Sequence, residues 1–249
     1  SWLIISAKEL VTKCRTANGL PPFSTPPDEG AFHKARTKTG ESMDIVDEAA
    51  THTRKTYPAG DWPHIAEVVT YARQLARRLG ADEQIVTIAA YFHDISQATM
   101  GPEEHNVRSA AIAREWLGQR GYPRERTEHV AAAIIAHMRP VVGPVRERLS
   151  LEERILYDAD KIGRAQGIGL LGAAVRLGSQ ITWEDLSYAQ LAAVVKRGRD
   201  VTQKTYDSLY TNEAREMAAV GYKRTIDFCN GLLEMKVLRP IPTRKPVVS

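Results

Sequence analysis

The sequence predicts an all-α protein, and three observations carry that expectation. Alternation of apolar and polar residues at period two, the mark of a half-buried strand, is almost absent. Helix start and stop signals recur from Ser42 to about Met235. Between them lie largely apolar stretches such as Ile85-Val86-Thr87-Ile88-Ala89-Ala90-Tyr91-Phe92, which read as buried helix.

Taken in order, Ser6 and Glu9 have capping-box spacing and Asn18-Gly19 is a stop, so a short helix is expected within 1–19. Pro21-Pro22, Pro26-Pro27, Gly30 and Gly40 make 20–41 a linker or extended arm without a core of its own. Asp61 is expected to cap a helix over 62–79, with Pro63 in its first turn and Gly80 as its stop. Asp82 is expected to cap the next, over 83–97. Further helices are expected over 103–119, over 123–138 with Pro123 in a first-turn position, and over 151–160 with Ser150 and Glu153 as a capping box. Three longer ones follow, over 164–178, 183–209 and 212–235, the last capped by Thr211. Arg239-Pro240-Ile241-Pro242 reads as an extended tail. No internal repeat is visible. The chain therefore divides into an N-terminal helix and arm (1–41), a helical domain (42–236) and a basic Pro-containing tail (237–249).

Composition narrows the function classes. Apolar residues at 43% and charged residues at 26% are those of a soluble globular chain, and no apolar run approaches the ~18 residues of a membrane span. The start, Trp2-Leu3-Ile4-Ile5, offers four apolar residues and no cleavage-like site, so no signal peptide is expected. Cys14 and Cys229 cannot build a disulfide framework, which points to a reducing, cytoplasmic setting. The net charge of +4 is matched by Lys236, Arg239, Arg244 and Lys245 near the C-terminus, so the basic balance belongs to a tail and not to a nucleic-acid-binding face.

Seven histidines are present, five of them in the helical core region after residue 60: His64, His93, His105, His129 and His137. His93 is followed by Asp94 and closes an apolar stretch. His137 likewise closes Val130-Ala131-Ala132-Ala133-Ile134-Ile135-Ala136. A buried His-Asp pair must be satisfied by something. Imidazoles and carboxylates from several helices can converge on a divalent metal inside a bundle, and a structural His bonded to a carboxylate is the alternative for any one of them.

Asp61-Trp62-Pro63-His64 with Val68 and Ala72, then His93-Asp94, then Ile134 with His137, then Asp158-Ala159-Asp160-Lys161, resembles the HD-domain metal-dependent phosphohydrolase superfamily, and in particular its small single-domain bacterial hydrolases. The resemblance covers the helical domain and leaves both termini outside. It implies an HD-type helical bundle in which His64, His93, Asp94 and Asp160 bind one metal. His105 and His137 fall in order for a second metal, or else face substrate phosphate. It implies Mn²⁺, Mg²⁺, Fe²⁺ or another transition ion, and hydrolysis of a phosphate ester or phosphoanhydride of a nucleotide or other small phosphorylated substrate by metal-activated water. A di-iron oxygenase, or a silent metal- or nucleotide-binding regulatory module, is the alternative. Two departures stand out. Many relatives carry Gly-Lys or an acidic pair about one turn after the His-Asp, where this chain reads Ile95-Ser96-Gln97-Ala98. Many also carry Asp where it has Gly163. Phosphate binding then falls to Lys161, Arg108 or Arg139, with Gln97 a further candidate beside the site, or else metal-bound hydroxide does most of the work.

Other features have plainer readings. Gly167-Ile168-Gly169-Leu170-Leu171-Gly172 matches a dinucleotide fingerprint, but no strand precedes it and position 192 is Ala, so close helix packing is expected. His129 reads as a partly exposed structural residue. His33 and His52 are expected to face solvent, Trp62 either walls the site or packs, and Arg73, Arg77 and Arg78 form a solvated helix face.

Overall fold

A computed structural model describes residues 44–138, 149–178 and 187–235. The expected N-terminal helix and arm, the basic tail and Arg139 lie outside the described residues. Among the described residues there are ten helices and no strand. They are α1 (Ile45–Thr56), α2 (Trp62–Leu79), α3 (Glu83–Phe92), α4 (Ile95–Met100), α5 (His105–Gly118), α6 (Arg124–Ala136), α7 (Leu151–Ala165), α8 (Ile168–Gly178), α9 (Tyr188–Ser208) and α10 (Asn212–Glu234). From Ile45 onward they belong to one unit. None of the described helices is long and apolar enough to cross a membrane.

Helix α3 is the centre of the packing. Ile85, Val86, Ile88, Ala89, Ala90 and Phe92 are all buried, so the helix is apolar around most of its circumference. It contacts α1, α2, α5, α6 and α7. Ile65, Leu75, Ile134, Ile155, Leu156 and Ile162 close around it. Burying side chains of this size stabilises by about 1.5–3 kcal/mol each. Helices α9 and α10 pack on each other and on α7.

The caps follow the sequence, with one exception. Asp82 accepts from the Gln84 and Ile85 amides at 3.0 and 3.1 Å. Ser150 and Glu153 form the expected capping box, and Thr211 accepts from the Ala214 amide at 3.2 Å. Asp61 makes no capping bond. Its backbone is already helical (φ −89°, ψ −23°), whereas a capping side chain reaches the first-turn amides from an extended backbone.

Three further differences matter. The helix expected over 83–97 breaks at His93-Asp94. The His93 Nδ1 bonds the Ala90 carbonyl at 2.8 Å, the oxygen that an unbroken helix would offer to the Asp94 amide. Helix α7 runs on to Ala165, past the expected end at 160, because Ile162 and Ala165 continue its buried face. His52, expected in solvent, is half-buried and stacks on Phe92 and Trp116 with ring centroids 5.8 and 5.5 Å apart, and burial lowers its pKa. Its helix is charged, but α1 turns this position towards α3 and α5.

Gly167, left-handed at φ 104°, does what the packing reading expected. A Cβ there would come within 2.4 Å of Thr225 Oγ1 on α10. Asp158, fully buried on α7, accepts from the Tyr210 amide, the Thr211 amide and the Thr211 hydroxyl at 2.7–2.8 Å, so it ties the α9–α10 connection to the bundle. Burial pushes its carboxyl up to about 6 against those three donors.

Candidate metal centre

Six of the singled-out residues come together where the N-terminus of α2, the α3–α4 break, the N-terminus of α5, the C-terminus of α6 and the middle of α7 meet. His64 stands in the first turn of α2. Its Nε2 is 3.3 Å from Asp160 Oδ1 and 3.8 Å from Asp94 Oδ2. His93, buried at the break, has its Nε2 3.4 Å from Asp94 Oδ2 and 3.9 Å from Asp160 Oδ1. On the other side, Asp94 Oδ1 lies 3.2 Å from His105 Nε2 and 3.4 Å from His137 Nε2. The two oxygens of Asp94 thus face two different ligand sets. Donor atoms of His64, His93 and Asp94 lie within 4.8 Å of one another, and so do those of Asp94, His105 and His137.

The backbone decides which ring nitrogens face inward. His93 Nδ1 bonds the Ala90 carbonyl, His105 Nδ1 bonds the Pro102 carbonyl at 2.8 Å, and His137 Nδ1 bonds the Ile134 carbonyl. A carbonyl only accepts, so each Nδ1 carries the proton. In the neutral ring each Nε2 then presents a lone pair to the centre. Burial lowers the pKa of His93 further than the nearby carboxylates raise it, so this ring is neutral. The Nε2 atoms of His105 and His137 stand only 3.3 Å apart. The buried His93 Nε2 and Asp94 Oδ1 have no hydrogen-bond partner. Lone pairs aimed at lone pairs and at carboxylate oxygens are unfavourable unless a cation lies among them. The donor set is that of a divalent transition ion, imidazole nitrogen with carboxylate oxygen, and each His ligand except His64 has its other nitrogen anchored on a carbonyl.

Both carboxyls are ionised. Burial works to raise Asp94, and a proton on His93, or on His137, would outweigh it and hold the carboxyl below the usual carboxylate range. Burial works to raise Asp160 as well, and the Lys161 ammonium, in contact with its Oδ2, and then His64 hold it well below. For His64, burial works downward and the Asp160 carboxylate outweighs it, so the pKa is raised.

The remaining candidates fall around this centre. Lys161, mostly buried, spends its ammonium on Asp160 and lies over the Tyr157 ring at 5.6 Å. Gln97 is exposed on α4, about one turn beyond Asp94. Arg108 donates from Nη2 to the Gly101 carbonyl at 2.7 Å and so braces the turn that leads into His105. Trp62 packs between Tyr57 and Tyr91 with Arg54 over its ring, which is a packing role. His129 pairs with Glu152 at 3.1 Å. Two residues that the sequence did not single out belong to the surroundings. The buried Tyr57 hydroxyl lies beside the backbone of Asp94, where burial and then the Asp94 charge push its pKa up. Ser109 is buried beside the start of α4.

Residues 62–165 match the family model of the HD domain. The helical fold is similar to that of several solved bacterial structures. The Lin1889 protein of Listeria innocua shares 20% identity at a TM-score of 0.59, covering 79% of this chain and 97% of its own. Bacillus subtilis YpgQ in complex with ADP shares 20% at 0.57, covering 76% and 93%. An HD-superfamily hydrolase of Bacillus thuringiensis shares 19% at 0.57, covering 76% and 94%. A search of curated proteins finds no match.

Proposed function

We propose that this chain, whose residues 62–165 match the HD-domain model, is a metal-dependent hydrolase that cleaves a phosphate ester or phosphoanhydride bond of a nucleotide or small phosphorylated metabolite. One observation carries the reading most directly: the Asp94 carboxylate shared between two sets of inward-facing imidazole nitrogens. His64, His93, Asp94 and Asp160 would hold one divalent ion, and Asp94, His105 and His137 a second. A divalent ion held there lowers the pKa of a bound water and offsets charge on phosphoryl oxygens. The chain's own groups do the rest. The carbonyls of Ala90, Pro102 and Ile134 fix the rings of His93, His105 and His137, so little reorganisation accompanies turnover. His64, with 42% of its side chain exposed, marks the face open to substrate. Lys161 brings an ammonium beside Asp160 and is the first candidate to meet a phosphoryl oxygen. Gln97 can orient water but cannot move a proton at neutral pH. Arg108 and Arg139 are further candidates for phosphate.

The nucleotide class draws support from the ADP held by YpgQ, which shares the fold. We place the protein in the cytoplasm on its cysteine usage, the one described cysteine, Cys229, being buried and free. Two ligand sets sharing a carboxylate also suit a di-iron oxygenase, which oxygen uptake by the iron-loaded protein separates from hydrolysis. The test of the main reading is a panel of nucleotides and phosphomonoesters with Mn²⁺. Wild type should release phosphate or pyrophosphate and Asp94→Ala should not. Equal turnover by both overturns it.

A further inference from the structure

The two Asp residues that open α3 and α4 behave differently. Asp82 caps α3 with its own carboxylate, bonding the second and third amides of the helix. Asp94 stands in the same place before α4, with φ −111° and ψ 10°, and makes no capping bond; its two oxygens face the histidines. The second amide of α4, on Ser96, is nevertheless satisfied: it donates to Ser109 Oγ on α5 at 3.1 Å. Ser109 in turn donates to Ser96 Oγ at 3.1 Å, and Ser96 Oγ donates to the His105 carbonyl at 2.8 Å. Both serines are fully buried. Every proton in this chain of bonds therefore has one direction, and it runs from Ser96, two residues after Asp94, to the backbone of His105.

We propose that Ser109 is a positioning residue which caps α4 in place of Asp94 and thereby keeps the Asp94 carboxylate turned towards the metal ligands. The inference rests on the metal reading above. An aspartate at a helix N-cap is among the strongest acceptors for the first-turn amides. With the Ser109 hydroxyl gone, the Ser96 amide would be a buried donor without a partner, and Asp94, at the N-cap position of α4, would meet it once its backbone turned to the extended form. Asp94 would then be drawn into the capping role that Asp82 plays on α3, and both ligand sets would lose their shared oxygen. The second link, from Ser96 to the His105 carbonyl, holds the start of α5 at a fixed distance from Asp94.

The experiment compares metal-stripped wild type, Ser109→Ala, Ser109→Thr and, as a control cap, Ser187→Ala, which removes the capping box that Ser187 and Gln190 form at the start of α9. Each is titrated with Mn²⁺ by calorimetry and melted with and without Mn²⁺. For Ser109→Ala the account expects Mn²⁺ affinity to fall about 10- to 100-fold, the size seen when a group supporting a metal ligand is lost. Its Tm should drop much more in Mn²⁺ than without, because Asp94 recaps α4 only when no ion competes for it. Ser109→Thr keeps the hydroxyl and should bind as wild type, and Ser187→Ala should lose Tm equally in both conditions. If Ser109→Ala loses the same Tm with and without Mn²⁺ at unchanged affinity, Ser109 is a packing residue and the proposal falls. If Ser109→Thr binds as poorly as Ser109→Ala, the hydroxyl is not the cause and it also falls. If wild type binds no Mn²⁺, the metal reading itself fails, and this inference with it.

Discussion

The two sides of Asp94 differ in water and in charge. On the Oδ2 side stand His93, the half-exposed His64 and a second carboxylate, Asp160, with the Lys161 ammonium behind it. On the Oδ1 side His105 and His137 are both buried and bring no charge when neutral. An ion on the first side meets two carboxylates and an opening. One on the second meets a share of a single carboxylate in a dry pocket. On the proposed reading, the first side would carry both the tighter binding and the approach of substrate, while the second would depend on Asp94 being held in place.

The largest effect should come from the residue common to both sides. Asp94→Ala should lower turnover by at least about 10³-fold, since the charge stabilisation at phosphorus is worth several kcal/mol. Circular dichroism should stay near wild type, because the apolar faces of α2, α3 and α7 are untouched. Turnover within tenfold of wild type would place the chemistry elsewhere. Next comes the buried side alone. His137→Ala should abolish the weaker of the two Mn²⁺ binding events and leave the tighter one, which calorimetry reads directly. If the tighter event disappears instead, the assignment of the two sides is reversed.

Lys161→Ala should leave Mn²⁺ bound at least as well, because one positive charge next to Asp160 is removed. KM for a phosphorylated substrate should rise about tenfold, the scale of one lost charge-assisted hydrogen bond. An unchanged KM would mean that the ammonium serves Asp160 only. The smallest effect lies far from the centre. Glu83, held by Arg77 and Arg73, has its pKa drawn down to about 2. A lowered carboxyl pKa contributes stability above the ordinary range near 4.5 and loses it as pH falls towards 2. The group is exposed, so salt screens it. Glu83→Gln should reduce Tm slightly at neutral pH and low salt and not at all in 1 M salt or below pH 2, and a salt-independent loss would point to packing.

Much of the centre was legible because most of the candidate ligands sit at helix boundaries that the sequence marks. His93-Asp94 and His137 each end an apolar stretch, and the structure brings both to the same place as His64, His105 and Asp160. The break after Phe92 was not legible. An apolar run predicts a continuous helix, and only the ring of His93 reaching back to the Ala90 carbonyl interrupts it. The same holds for the inward tautomers, which depend on carbonyls that every residue type supplies. Tyr57 and Ser109 carried no signal of their own, since a lone Tyr or Ser in a helix has no local pattern that reveals a partner on another helix. Asp158 belonged to a visible motif, yet its partners Tyr210 and Thr211 lie across the fold on the α9–α10 connection. His52 misled because a charged helix still turns one face to the core.

The central claim is that Asp94 joins two ligand sets into one centre. Calorimetric titration of the metal-stripped protein with Mn²⁺ tests it most directly. The account predicts two saturable events in wild type, one in His105→Ala and in His137→Ala, and none at the same concentrations in Asp94→Ala. Full Mn²⁺ binding by Asp94→Ala would contradict it.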